Sequence, residues 1–448
     1  MILLVIYSLM VVFYTISLFA GSSFLDEVTG IFAIMALVFS FPKANGLYRA
    51  TGTVFILAGG LLYFYLRKPL LELPHYMTST IVLLAIFYVL PFINSIIVVG
   101  RYDKSVNQLL KRRVGNLGQL YYRSSLVSFL LGSFLNIATI PLVESVLRRN
   151  LQKAEDKLRD IFISRAMLRG YALCLAWSPM EILVAISVDI THSNYVHLLP
   201  WLLLFSVTLL GADWLIGLRY RKYQVEQAAT AEAAPLDGRI IKKAGVLLLN
   251  LSVFIAAVIG ARRVLGTDFL MAVTLVIVPY SVLWALLVKR IRSYLVYSLR
   301  VWKNRASSQQ NFMVLFLSAG FLISTLKVSP FLKWLQQPFG AVEHWPVLLF
   351  LLIQVLFLGL AMIGFHPLVT ISILGEVIQP LLGEINPLSF AVVLISSGLS
   401  TVMAGPYNIT VSLTGSLLHQ NPYRVSFWNI GFAFLYSSMG TIIALLML

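Results

Sequence analysis

LSFAVVLISSGLSTVMAGPYNITVSLTGSLL, residues 388–418, holds no charged side chain. It is longer than the roughly 20 residues that carry an α-helix across a bilayer. Gly405-Pro406 stands inside it. A proline in a helix interior removes a backbone hydrogen bond and clashes with the preceding turn, so the run reads as a membrane helix that breaks and restarts. Residues 163–188 have the same build, with Ser178-Pro179-Met180-Glu181 inside an apolar segment. Proline costs little at the first position of a helix, and Ser-x-x-Glu is a capping-box pattern. The expected break is near Trp177 and the expected restart at Pro179. Gly405-Pro406-Tyr407-Asn408 allows the same restart. Two half-helix N-termini at mid-membrane depth then favour an anion through free N–H groups and the helix dipole. The bland reading is a pair of proline kinks in continuous helices.

The rest of the chain supports a membrane setting. Of 448 residues, 59% are hydrophobic and 12% charged, with mean hydropathy +0.87; soluble domains run nearer 45–50% and about 25%. The apolar runs are continuous, which excludes a β-barrel. The expected class is an all-α polytopic membrane protein. Cys174, the single cysteine, excludes an intrachain disulfide and a cysteine-rich metal site. The net charge of +16 would suggest nucleic acid on a soluble protein. Here it is the positive-inside excess of cytoplasmic loops, and no nucleic-acid partner is expected.

Basic clusters at Arg101–Arg113, Arg148–Arg169, Arg219–Lys243 and Lys289–Arg305 set the topology. With these inside, spans fall at 2–20, 28–43, 50–66, 78–99, 163–188, 197–218, 246–261, 268–288, 312–328, 388–418 and 425–447. The N-terminus is then inside and the C-terminus outside. The first run has no Lys or Arg ahead of it and is long for a signal peptide, so it reads as an uncleaved span. Residues 116–147 lie between two inner clusters and are too few for two crossings. They are expected to form a re-entrant hairpin whose tip is Ser133–Pro141. Residues 346–378, with Gly364-Phe365-His366-Pro367 in the middle, pose the same problem from outside. Such backbone is tolerated only where protein or a water-filled cavity covers it.

The halves repeat. Ile140-Pro141-Leu142-Val143 parallels His366-Pro367-Leu368-Val369, and Ser178–Ile182 parallels Gly405–Ile409. His192 pairs with His419 and Asn194 with Asn421 at the same near-constant offset. The first hairpin enters from inside and the second from outside, an inverted-topology repeat of the kind many secondary transporters use. The expected organisation is an extra span over 1–27, a first repeat over 28–218, a cytoplasmic basic linker over 219–245 and a second repeat over 246–448.

Ionisable groups inside apolar runs are functional candidates by default: Glu144, Glu181, Asp189, Asp213, His366 and Glu376. Glu181 stands beside the first break, as coupling group or as cap. Glu144 is expected near the inner surface beside Arg148 and Arg149, and Asp189 and Glu376 near the outer surface. Asp213 is expected to pair with Arg219 or a neighbour. Candidate substrate contacts are Asn136, Thr139, Ser178, His366, Gly405, Tyr407 and Asn408. Candidate ion-coupling groups are Glu181, Ser397, Thr401 and Thr410, whose oxygens suit a proton or Na⁺. The many hydroxyls of 396–414 also permit close helix packing.

This layout, with Asn136–Pro141, Ser178–Glu181, His366–Thr370 and Gly405–Thr410, resembles the ion transporter superfamily, which includes the divalent anion/sodium symporters. The chain carries no Ser-Asn-Thr motif of the symporters at its tips. The resemblance implies a solute held between hairpin tips and half-helices, elevator-like alternating access and a homodimer. The reading is a secondary active transporter of a small anionic solute in a bacterial cytoplasmic membrane, driven by H⁺ or Na⁺, with no other cofactor or metal. A lipid-linked or polyprenyl-phosphate carrier, using Arg112-Arg113 and Arg148-Arg149, is the alternative. A membrane-embedded glycan enzyme is a third; the outer loops are short, and metalloprotease, Walker and nucleophile-elbow motifs are absent.

Overall fold

The computed structural model describes residues 2–100, 115–152, 154–224 and 238–448. The basic cluster at 101–113 and residues 225–237 of the expected linker lie outside them. Among the described residues all regular structure is helical, apart from one isolated bridge between Asn116 and Gln224. Ten helical segments are long and apolar enough to cross a membrane. The expected span 163–188 is not among them. It is two helices, Asp156–Leu175 and Ile182–Ile190, and the first carries Asp156, Lys157, Arg159, Asp160, Arg165 and Arg169.

Four long helices open the chain: α1 (Ile2–Ala20), α2 (Ser23–Ser40), α3 (Gly46–Tyr65) and α4 (Ile81–Val99). A pair follows, α5 (Leu117–Leu135) and α6 (Thr139–Asn150). Then come the broken pair α7 (Asp156–Leu175) and α8 (Ile182–Ile190), and the long α9 (Tyr195–Gly217). The second half runs α10 (Gly238–Leu265), α11 (Phe269–Leu287), α12 (Ile291–Ala306), α13 (Gln310–Lys327) and α14 (Phe331–Gly340). Its pair is α15 (Pro346–Met362) and α16 (Pro367–Ile378). Its broken pair is α17 (Pro387–Ala404) and α18 (Ile409–Leu418), and α19 (Pro422–Leu445) ends the fold.

The matched positions of the two halves share backbone detail. Both short arms, α6 and α16, have 12 residues. Pro141 lies in the first turn of α6 and Pro367 opens α16, where no intrahelical N–H bond is lost. His192 and His419 both adopt left-handed φ, 52° and 54°. Asn194 and Asn421 both cap the helix that follows, accepting from the N–H of Val196 and of Tyr423 at 2.9 Å each. The expected linker starts as packed structure. Leu117 donates its N–H to Tyr223 O at 2.9 Å, and Tyr220 stacks on Tyr121. The helix after it begins at Gly238 rather than 246.

The chain forms two compact units, each drawing on both halves. Unit 1 is Met1–Ile96, Ala261–Ala341 and Ser372–Pro380. In it α3 packs along α13, and Thr80 on the approach to α4 donates to Phe316 O at 2.7 Å. Lys327 of α13 meets Glu376 at 3.1 Å. Unit 2 is Ile97–Gly260, Val342–Ile371 and Leu381–Leu448. It holds both broken pairs: α5 packs on α7, α15 on α17, and α17 on α19. The two halves interlock inside it, with α8 on α17 and α18 on α6.

Small residues let these backbones close up, the usual means where lipid supplies no hydrophobic drive. A Cβ on Gly132 of α5 would stand 2.5 Å from Cys174 Sγ and 2.9 Å from Tyr171 Cδ2, and one on Gly170 of α7 would strike Ser125 O. Gly170→Leu is expected to cost about 1–3 kcal/mol by overpacking, read as a lowered unfolding temperature in detergent. Gly211→Leu, with nothing within 4 Å of its Cβ, is expected to leave that temperature unchanged.

Candidate substrate and ion site

Every candidate substrate and ion-coupling residue falls in unit 2, whereas the ionisable candidate Glu376 falls in unit 1. The breaks differ from expectation in one respect: neither helix restarts at its proline. α7 ends at Leu175, and Glu181 N–H bonds Ser178 O at 3.1 Å. Asn408 N–H bonds Gly405 O at 2.9 Å in the same way. Each break is thus a β-turn with proline at its second position, where the fixed φ and missing N–H cost nothing. The fourth residue of each turn, Glu181 or Asn408, is the N-cap of the half-helix. Ser178 is therefore not a cap. It is buried, with its N–H on Leu175 O at 3.1 Å.

The two N-caps differ in charge. Asn408 Oδ1 accepts from Thr410 N at 3.3 Å and from Thr410 Oγ1 at 3.0 Å. Glu181 turns its carboxylate toward the N–H groups of Ile182 and Leu183, without the geometry of a side-chain cap bond. It stays within electrostatic reach of Tyr171, Cys174 and Tyr436. Glu181, Met180, Tyr407 and Asn408 keep accessible surface, whereas the helices on either side are largely buried.

The turn of the first pair closes on the first break. Asn136, with φ 51°, accepts from Tyr171 OH at 2.6 Å and from Ile137 N at 2.7 Å. Thr139 is buried, and its hydroxyl has no hydrogen-bond partner among the described residues. The turn of the second pair is Gly364-Phe365-His366, with Gly364 at φ 107°. His366 Nδ1 accepts from Leu368 N at 3.2 Å, which caps α16. Tyr423 OH donates to Met362 O at 3.1 Å, just before this turn, and lies 3.3 Å from Tyr407 OH. Gly405 sits where a Cβ would meet Ala361 at 3.3 Å. The two gatherings are linked at α17: Leu183, in the first turn of α8, packs with Phe357 of α15 around Gly398.

Among the ion-coupling candidates, Thr401 donates to Gly398 O at 2.6 Å, and Thr410 donates to Val402 O across the break. Ser397 Oγ is buried and has no partner among the described residues. Glu144 is held by Arg148 at 2.5 Å, and Arg148 also donates to Leu417 O at 2.6 Å, closing the end of α18.

Sequence reasoning missed the main buried charge. The sequence puts Arg169 in a cytoplasmic basic cluster and pairs Asp213 with Arg219 or a neighbour. Instead Arg169 Nη1 meets Asp213 Oδ1 at 3.1 Å, both buried. Tyr121 OH and Ser125 Oγ donate to the same carboxylate at 2.8 and 3.0 Å. Arg169 also donates to Asn429 Oδ1 at 3.3 Å and covers the Phe432 ring at 4.6 Å. The available signal was spacing: Arg165 and Arg169, one turn apart, both turn inward, and Arg165 donates to Trp428 O at 3.0 Å. No group of three or more metal-ligating side chains occurs among the described residues.

No family model matches the chain, and no curated protein does. Among solved structures it is similar to the Alcanivorax borkumensis YdaH transporter, described as having an unusual topology. The TM-score is 0.62 at 16% identity, over 88% of this chain and 97% of that one. The chain therefore shares the fold of a membrane transporter.

Removing one partner of a buried ion pair leaves the other charge uncompensated and costs about 3–5 kcal/mol. Asp213→Ala is expected to destabilise by that amount in thermal or denaturant unfolding. Adding Arg169→Met is expected to recover part of the loss.

Proposed function

We propose that this protein is a secondary active transporter of a small anionic solute, with unit 2 as the carrier and the paired breaks as its binding site. The observation that supports this most directly is the pair of proline turns, each presenting a half-helix N-terminus with accessible surface. Backbone N–H groups and the helix dipole favour an anion at such ends. The likeness to a transporter structure supports the fold-level part of the reading.

Glu181 supplies the coupling. When ionised, it is itself the anion at the α8 N-terminus. When protonated, it leaves the N–H groups to the solute. Proton and anion are then bound together, and alternating access of unit 2 carries both. The hairpins are re-entrant, the access is elevator-like, and the protein works as a homodimer in a bacterial cytoplasmic membrane with its N-terminus inside. Na⁺ is the second candidate for the driving ion, favoured by the Ser397 hydroxyl, which has no partner among the described residues. Asn136, Thr139, His366, Tyr407 and Asn408 line the solute side. The polyprenyl-phosphate reading loses Arg148, which is committed to Glu144 and Leu417.

The test is thermal unfolding of the purified protein against carboxylates, phosphates, sulfate, sugars and lipid phosphates. Each is measured with and without Na⁺ and at two pH values. A ligand at 100 times its Kd stabilises by about 2.7 kcal/mol. The expected result is stabilisation by a small anion that strengthens as pH falls. In Glu181→Gln the same stabilisation is expected at both pH values. Stabilisation by lipid phosphates alone, or an unchanged pH dependence in Glu181→Gln, overturns the proposal.

A further inference from the structure

Helix α12 follows α11 through Lys289, whose φ of 56° ends the spanning helix, with Arg290 N–H on Ala285 O at 2.9 Å. Its 16 residues reach about 24 Å. One stripe faces the protein: Tyr294 and Ser298 are buried, and Trp302 lies edge-on to Tyr88 at 5.4 Å. A second stripe, turned away from it, is Arg292, Leu295, Val296, Leu299, Arg300 and Lys303, all exposed. They follow the i, i+3, i+4, i+7, i+8, i+11 spacing of a single helix face. Val296 is 63% exposed and Leu299 51%. No acidic residue occurs between Lys289 and Arg305. Among the described residues, Arg292, Arg300 and Lys303 form no ion pair.

Such a face suits neither bulk solvent nor hydrocarbon. Three large aliphatic side chains disfavour water, and three permanent cations disfavour the bilayer core. Only the boundary between headgroups and acyl chains satisfies both, with apolar side chains inward and long basic ones reaching out. We infer that α12 is an interfacial helix that binds anionic phospholipid headgroups through Arg292, Arg300 and Lys303. The charge commits it to anionic over zwitterionic lipid, because each basic residue near an anionic surface adds to the attraction. The helix belongs to unit 1 and shares no residue with the proposed solute site, so the inference stands whether or not that site carries an anion.

The test uses the full chain in detergent with added phosphatidylglycerol or phosphatidylcholine, read by native mass spectrometry of retained lipid and by unfolding temperature. Phosphatidylglycerol is expected to be retained and to raise the unfolding temperature; phosphatidylcholine is not. In Arg292→Gln/Arg300→Gln/Lys303→Gln the apparent lipid affinity is expected to fall roughly a hundredfold. The control Arg262→Gln/Arg263→Gln is expected to keep it. Equal response to both lipids, or retention of the response in the triple variant, overturns the inference. If the triple variant fails to fold, Leu299→Cys carries the test. Cys174 is buried, so a nitroxide on position 299 reports that site alone in anionic vesicles. Accessibility to oxygen above that to a polar nickel complex is expected; the reverse overturns the inference.

Discussion

Within a bilayer every backbone N–H and C=O must find a partner in the protein, and unit 2 is arranged around two places where proline makes that difficult. Around the second break, Gly405 N–H returns to Thr401 O at 2.7 Å and Asn408 N–H to Gly405 O. The Thr410 hydroxyl takes Val402 O, and Ser412 takes Pro406 O at 2.9 Å. Around the first, Tyr195 at the start of α9 reaches back to Trp177 O at 2.7 Å. The hydroxyls of Thr410 and Ser412 are therefore committed to carbonyls of the break, while those of Ser396, Ser400, Thr401 and Thr414 bond back within their own helices. Within 396–414 the Ser397 hydroxyl has no partner among the described residues; elsewhere in unit 2 the same is true of Ser128, Thr139, Ser389 and Thr441.

The same economy separates two kinds of buried charge. Asp213 receives Arg169, Tyr121 and Ser125, so its lone pairs are filled and its charge is matched. That arrangement binds α5, α7, α9 and, through Asn429, α19 into one body. Glu181 has no cation against it among the described residues and retains accessible surface. The matched carboxylate is suited to holding the unit together and the solitary one to chemistry.

The fold was readable because its signals are long and local: apolar runs, a near-constant repeat offset, and prolines inside spans. The breaks were located to within a few residues, but the restart was misplaced. Ser-x-x-Glu fits a capping box and a proline β-turn equally well, and only the Glu181 N–H to Ser178 O bond decides between them. The spacing of Arg165 and Arg169 marks an inward face but does not name Asp213 as the partner, which lies 44 residues away. Arg148 is expected beside Glu144 and is found there, but its second acceptor, the carbonyl of Leu417 in the other half, has no mark in the sequence. Helix α12 was read only as a basic loop because its apolar stripe is interleaved with cations.

The two half-helices also fix the sign of any coupling in the proposed mechanism. A helix N-terminus carries the equivalent of about half a positive charge. At α18 the cap is the neutral Asn408, so that end attracts an anion at any pH. At α8 an ionised Glu181 reverses the local sign to about half a negative charge, which repels a second anion. Protonation restores the positive end. Under that proposal, a solute that needs both N-termini binds to the protonated form and leaves from the ionised one, which is the sense of H⁺ symport. A neutral residue at 181 would make binding independent of the proton and so uncouple it without closing the site.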